Sequence, residues 1–305
     1  RRAERLTGMA RALYPGTMAG PGATRADPMA LMRREMALRE GAVPESLDGL
    51  PVALGHNRIG QDAFLLREPE VAFLYRRGEG VIVARGPGWS AQVEELFLNG
   101  SVFAAVASLN GLLPLHASAV AIDGLVVAFT APTGGGKSTQ VAGLTGLGLP
   151  LFCDDTLVVQ VEADGALLCL PGHKRMKLWP DAVALTGSTA LEQVSEDYAK
   201  FYVTPGGSAI AEPLPLGALV FLEDGPEPDL AVIGGGEKIA RLSDDHYTRE
   251  MFREANAMDP AAQFALQARI ARALPMYRFA RPMDPARFAE TTRFLADAVC
   301  AMVRG

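Results

Sequence analysis

Nine consecutive residues, Ala131-Pro132-Thr133-Gly134-Gly135-Gly136-Lys137-Ser138-Thr139, have the types and spacing to hold a polyphosphate. Glycines let successive backbone N–H groups turn toward phosphate oxygens, the lysine behind them reaches the β/γ end, and the next hydroxyl can ligate Mg²⁺. The Walker A pattern G-x-x-x-x-G-K-[ST] is met except at its first position, where Ala131 stands for glycine. The chemistry expected is binding of ATP with Mg²⁺ through Thr133, Gly134, Gly135, Gly136, Lys137, Ser138 and Thr139.

Asp154-Asp155 is the second signal, closing the apolar run Leu149–Cys153 at 17 residues beyond Lys137. A carboxylate at a strand end downstream of a phosphate loop is a usual way to hold Mg²⁺ beside the γ-phosphate. Two carboxylates can divide the work, one on the metal and one accepting a proton from an attacking hydroxyl. Solvated turns after strands also favour Asp. His116, in front of the loop-bearing strand, could orient a carboxylate or steady phosphoryl charge, although a single histidine is more often structural. A third cluster, Gly172-His173-Lys174-Arg175-Met176-Lys177, offers Lys174, Arg175 and Lys177 to an acidic peptide or to phosphate oxygens. A solvated turn leading into a helix at Leu178-Trp179 explains the same residues equally well. Lys200 and Arg241 read as isolated charges.

These groups need a scaffold, and the pattern supplies one. Leu125–Thr130 reads as the strand before the loop, paired to Ala117–Ile122 through Asp123-Gly124, a strong two-residue hairpin signal. Ser138–Leu147 reads as the helix after it. Short apolar runs between Pro51 and Arg85 (Val52–Leu54, Ala63–Leu66, Val71–Tyr75, Gly80–Ala84) predict a small antiparallel sheet. Gln92–Asn110 carries Val93, Leu96, Phe97, Val102, Ala105, Val106 and Leu109 on one face of a helix. Thr156–Glu162 and Ala166–Leu170 form a further hairpin, and Pro171–Pro215 reads as loop apart from a short helix near Trp179–Leu185. Strands at Leu219–Leu222, Leu230–Ile233 and Met276–Ala280 alternate with helices at Asp244–Asn256, Ala261–Ala273 and Pro285–Val303. The expected divisions are an N-terminal segment 1–50, a β-rich subdomain with its helix over 51–110, and a catalytic domain over 111–305.

The chain has 305 residues, is 49% hydrophobic and carries a net charge of −6, enough for a sizeable core and without the basic footprint that nucleic acid demands. Cys153, Cys169 and Cys300 show no C-x-x-C spacing, which disfavours zinc and disulfides and predicts a cytoplasmic protein. No apolar run approaches a membrane span or an export signal, and the start without methionine points to a trimmed chain. Absence of N-K-x-D disfavours a GTPase, absence of an L-S-G-G-Q-like stretch a transporter ATPase, and absence of G-x-G-x-x-G a dinucleotide oxidoreductase.

Leu113-Pro114-Leu115-His116-Ala117-Ser118-Ala119-Val120, the loop, and Cys153-Asp154-Asp155 together resemble the HPr kinase/phosphorylase superfamily, and more closely the related kinases that accompany lasso-peptide biosynthesis. His116 lies 21 positions before Lys137 and Asp155 lies 18 after it, in that family's order. The motif match spans Leu112–Pro180. The resemblance implies an α/β P-loop kinase core with a small strand-rich N-terminal subdomain and a helical C-terminal tail. It implies His116 and Lys137 as active-site groups, Ser138 as a Mg²⁺ ligand, Asp155 as proton acceptor and Asp154 as a second carboxylate near the metal. The E-I-R-G-type signature of the HPr enzymes is replaced here by Met176-Lys177-Leu178-Trp179-Pro180, which favours the lasso-associated branch. The implied activity is an ATP- and Mg²⁺-dependent serine kinase acting on the C-terminal serine of a lasso-peptide precursor, in a protein that forms oligomers. Nucleotidyl transfer, a small-metabolite kinase and a non-catalytic ATP-sensing module are the alternatives that the residues leave open.

Overall fold

The computed structural model describes residues 27–195, 198–204, 206, 209–243 and 247–304. Helix α1 (Pro28–Glu35) starts where Asp27 accepts a hydrogen bond from the Met29 N–H and Pro28 presets the first turn. Strand β1 (Leu38–Glu40) follows, then a minimal hairpin of β2 (Ser46–Leu47) and β3 (Leu50–Pro51), then β4 (His56–Ile59), β5 (Ala63–Arg67), β6 (Val71–Arg76) and β7 (Gly80–Arg85). The order β1-β7-β6-β5-β4 makes one five-stranded sheet, antiparallel except where β1 runs parallel to β7. The sheet therefore begins earlier than the sequence suggests. Residues 28–40 pack into it and do not stand apart from 51–110, while residues 1–26 lie outside the described residues. Val52 is buried, but Val52–Leu54 forms no strand.

The expected helix 92–110 is interrupted. Helix α2 (Ala91–Phe97), capped by the Ser90 hydroxyl on the Val93 N–H, passes into a π-turn over Leu98–Val102 and resumes as α3 (Phe103–Leu109). The Phe103 N–H donates to the Leu98 carbonyl five residues back. The apolar spacing does not betray the break, because Leu98 stands four residues before Val102, as in an unbroken helix.

A nine-stranded sheet forms the centre. It contains β8 (Leu113–Leu115), β9 (Ser118–Ile122), β10 (Leu125–Thr130), β11 (Leu151–Cys153), β12 (Leu157–Val161) and β13 (Leu167–Leu170), together with three late strands. The segment 171–215, expected to be loop, instead holds a separate three-stranded sheet of β14 (Met176–Leu178), β15 (Ala190–Ser195) and β16 (Tyr198–Val203), in the order β14-β16-β15. The remaining central strands are β17 (Leu214–Asp224), β18 (Asp229–Ile233) and β19 (Met276–Arg281). Strand β17 forks: Leu214 and Pro215 pair with β13, whereas Leu219–Asp224 run parallel to β19. Strands β10, β17 and β19 thus lie side by side and parallel, with β9 and β11 beyond β10. Leu125–Phe129 are all buried, as a run apolar on both faces requires.

Helices cover both faces. Helix α4 (Lys137–Gly146) follows the phosphate loop, and α5 (Pro180–Thr186) precedes β15. Helices α6 (Gly235–Ser243), α7 (Tyr247–Ala255) and α8 (Pro260–Ala273) come between β18 and β19, and α9 (Phe288–Arg304) closes the chain. Helix α6 was not legible in the sequence, and the expected helix start at Asp244 lies outside the described residues. Val141, Leu144, Leu295 and Val299 pack with Val127 and Val220 on one face, and Phe252, Ile270 and Leu274 with Val126 and Leu219 on the other. The small sheet and α3 share a core with Val158, Leu170 and Met251, so the N-terminal unit is packed onto the central one.

Candidate active site

The phosphate loop leaves the buried end of β10 and enters α4 through backbone only glycine adopts easily, with Gly134 at φ 83° and Gly136 at φ 78°. A Cβ on Gly135 would fall 2.7 Å from the Cβ of Ala131. The alanine at the first motif position therefore occupies the space beside Gly135 and obliges that residue to stay glycine. The Lys137 ammonium donates to the Ala131 carbonyl at 2.9 Å, and Arg281 at the end of β19 donates to the Gly135 carbonyl at 2.8 Å. No side chain caps the first turn of α4. The Gly135 N–H is used within the loop, donating to the Pro132 carbonyl at 2.9 Å, and the leading N–H groups of α4 are the donors that suit a polyphosphate.

Asp154 and Asp155 follow β11, and their consecutive carboxylates have different surroundings. Asp154 is buried, accepting from the Ser118 hydroxyl at 2.6 Å and from the Lys177 N–H at 3.3 Å. Asp155 takes the left-handed conformation, φ 71°, uncommon for a residue with a side chain. Its carboxylate pairs with the Lys177 ammonium at 2.8 Å and lies 3.5 Å from His116 Nδ1. Burial alone would raise the Asp155 carboxyl, but Lys177, with smaller help from His116 and Lys200, holds it at about 2. Burial pulls the Lys177 ammonium down, and the two aspartates more than reverse this. His116 sits in the turn between β8 and β9, close enough for Nδ1 to share a hydrogen bond with the Asp155 carbonyl at 3.1 Å. Its own carbonyl accepts from Thr130, the last residue before the loop.

Of the basic cluster, only Lys177 reaches this place. The Lys174 ammonium donates to the Phe152 carbonyl and lies 5.3 Å from the Phe152 ring, and burial brings its pKa down to about 8. Arg175 pairs with Glu95 and Glu192 and stacks over Tyr202 at 4.1 Å. Both are engaged in joining segments of the fold, and the structure does not bring them to the carboxylates. Burial pushes the Cys153 and Cys169 thiols up, so neither is a thiolate near neutrality.

Two spaces share Gly100, Ser101 and Asp155 in their walls here. A cleft of about 990 Å³ is lined by Thr133, Gly134 and Gly135 on one side and by His116, Asp155, Phe221 and Arg241 on others. A recess of about 270 Å³ is lined by Ser138, Asp154, Asp155, Lys177 and Lys200. Gly136, Lys137 and Thr139 line neither. Lys200 and Arg241, which the sequence left as isolated charges, thus belong to the walls. Lys200 is placed by strand register: Lys177 opposes Tyr202 in the β14–β16 ladder, and Lys200, two residues from Tyr202, shares its face.

Among the described residues no group of three or more His, Cys, Asp or Glu is arranged to hold a metal ion. Two carboxylates and a hydroxyl in one recess suit Mg²⁺ in particular, which keeps several waters and leans on substrate phosphates. Among the described residues no helix is long and apolar enough to cross a membrane.

No protein-family model matches the sequence, and no curated protein matches it significantly. Among solved structures, the chain is similar to the HPr(Ser) kinase/phosphatase of Coxiella burnetii. The two are 14% identical, the match covers 61% of this chain and 97% of that one, and the TM-score is 0.31. Agreement at that level is too low to bear on activity, and the chemistry must come from this chain's own residues.

Proposed function

We propose that this protein is an ATP- and Mg²⁺-dependent kinase that phosphorylates a serine hydroxyl. The observation that carries the reading is the recess itself: Ser138 of the loop and both carboxylates line one small space that opens beside the phosphate cradle. The loop amides and Lys137 would hold the phosphates, and Ser138 and Asp154 would hold Mg²⁺, which would supply charge neutralisation to the phosphates. Asp155, kept ionised by Lys177, accepts a hydrogen bond from the acceptor hydroxyl and takes its proton as the bond to the γ-phosphoryl forms and the bond to the leaving oxygen breaks. So acidic a carboxylate is a weak base, and most of the rate comes from positioning and charge neutralisation. His116 holds the Asp155 main chain and carboxylate in place.

The acceptor we infer is a peptide, by the resemblance of the His116, loop and Asp pair segments the C-terminal serine of a lasso-peptide precursor, with a cytoplasmic setting and an oligomeric protein implied by the same likeness. Incubation with ATP, Mg²⁺ and such peptides should add the mass of one phosphate to the serine, and Asp155→Asn should remove that product. Undiminished transfer by Asp155→Asn would exclude the assigned base. Binding of ATP with no phosphorylated product from any hydroxyl acceptor would exclude the kinase.

A further inference from the structure

Resting on that reading, we propose that Gly100, in the π-turn of the N-terminal unit, is the opening through which the acceptor hydroxyl reaches Asp155, so that this unit sets which acceptors are used. Gly100 and Ser101 line both the large cleft and the small recess, and Asp155 is the other residue common to the two. The π-turn thus lies beside the carboxylate in the wall that the two spaces share, with Leu96 and Phe97 continuing that wall along the recess. A Cβ on Gly100 would stand 4.0 Å from Asp155 Oδ2 and meet nothing nearer. That oxygen receives the Lys177 ammonium, and a carboxylate oxygen can accept a second hydrogen bond, here from the acceptor hydroxyl. A hydroxyl oxygen bonded to Oδ2 lies about 2.6–3.2 Å from it. A methyl group 4.0 Å from Oδ2 would narrow the approach to that oxygen from the Gly100 side.

The π-turn is what brings residue 100 here. An extra residue in the helical turn shifts α3 out of phase with α2, so Val102–Leu109 bury their apolar face while the 99–101 backbone bulges over the site. Residue 100 is set by site geometry and not by helix stability, since alanine is the better helix former.

Gly100→Ala and Gly100→Val test this, with Gly146→Ala, a helical glycine with open space around it, as the control. Gly100→Ala should melt no lower than the native chain and keep its KM for ATP. Its kcat/KM for the serine peptide should fall about tenfold, and further in the valine variant, as misplacement at a reacting centre costs rate steeply. Gly146→Ala should leave both unchanged. Unaltered peptide kinetics in both Gly100 variants would overturn the assignment and leave the kinase standing. Parallel losses in ATP and peptide kinetics would overturn it as well, since that wall would then serve the nucleotide. A native chain that yields no phosphoserine overturns the kinase and this inference together.

Discussion

The phosphate loop and the Asp154–Asp155 turn face the same space and are held there in opposite ways. The loop takes most of its shape from its own backbone, with two left-handed glycines, a third packed on Ala131 and Lys137 folded onto the carbonyl six residues earlier, and Arg281 braces it from the last strand. The carboxylates are held by side chains remote in sequence, Ser118 36 residues before Asp154 and Lys177 22 residues after Asp155. A locally encoded cradle can be recognised in a short string, whereas the acceptor side depends on the whole fold for its charge state and its orientation.

Substitutions can test that contrast. Asp155→Asn should lower the rate of phosphoryl transfer about a hundredfold, the low end of what a proton acceptor supplies and in keeping with so weak a base, with little change in ATP affinity measured calorimetrically. Ser118→Ala removes the short hydrogen bond to buried Asp154 and should cost about 1–3 kcal/mol in urea unfolding. That loss would appear although Ser118 lines neither cavity. Gly136→Ala puts a side chain into the left-handed region at about 1–2 kcal/mol, with its Cβ 2.8 Å from Arg281 Nη2. ATP affinity should drop roughly tenfold, since about 1.4 kcal/mol is a factor of ten. Equal ATP affinity in that variant would show that the cradle is not set by its backbone.

Lys177→Met has the smallest expected effect, about 1 kcal/mol once solvent at the partly exposed Asp155 is allowed for. Its pH dependence is the sharper reading. The folded pKa of Asp155 is depressed, so pairing stabilises fully above the unfolded value of about 3.9 and is lost as pH falls. The gap in stability between native chain and variant should be constant near neutrality and close as pH falls through about 2. A gap that persists unchanged in acid would mean that Lys177 stabilises by packing alone.

Legibility in the sequence followed the same divide. Strand, loop, helix and Asp pair were visible because each is written in contiguous residues, as were the Asp123-Gly124 and Ala163-Asp164-Gly165 hairpins. The β14–β16 sheet was hidden because its strands are short, interrupted by Gly and Pro, and recognisable only once paired. Lys174, Arg175 and Lys177 lie within four residues, and no local pattern says which one turns toward Asp155. The register against β16 and the cation–aromatic contact with Tyr202 decide it. Residue 100 was hidden for a different reason: a one-residue phase slip looks like ordinary scatter in a helical pattern.

Arg281 has a consequence for the order of assembly. It joins the loop to the last strand across 146 residues of chain. During synthesis the glycine-rich segment emerges long before its brace, so a nascent chain would carry the motif with its Gly135 carbonyl untethered. Nucleotide binding should therefore switch on late, when β19 docks beside β17, and a chain stopped before residue 276 should retain the motif but not the site.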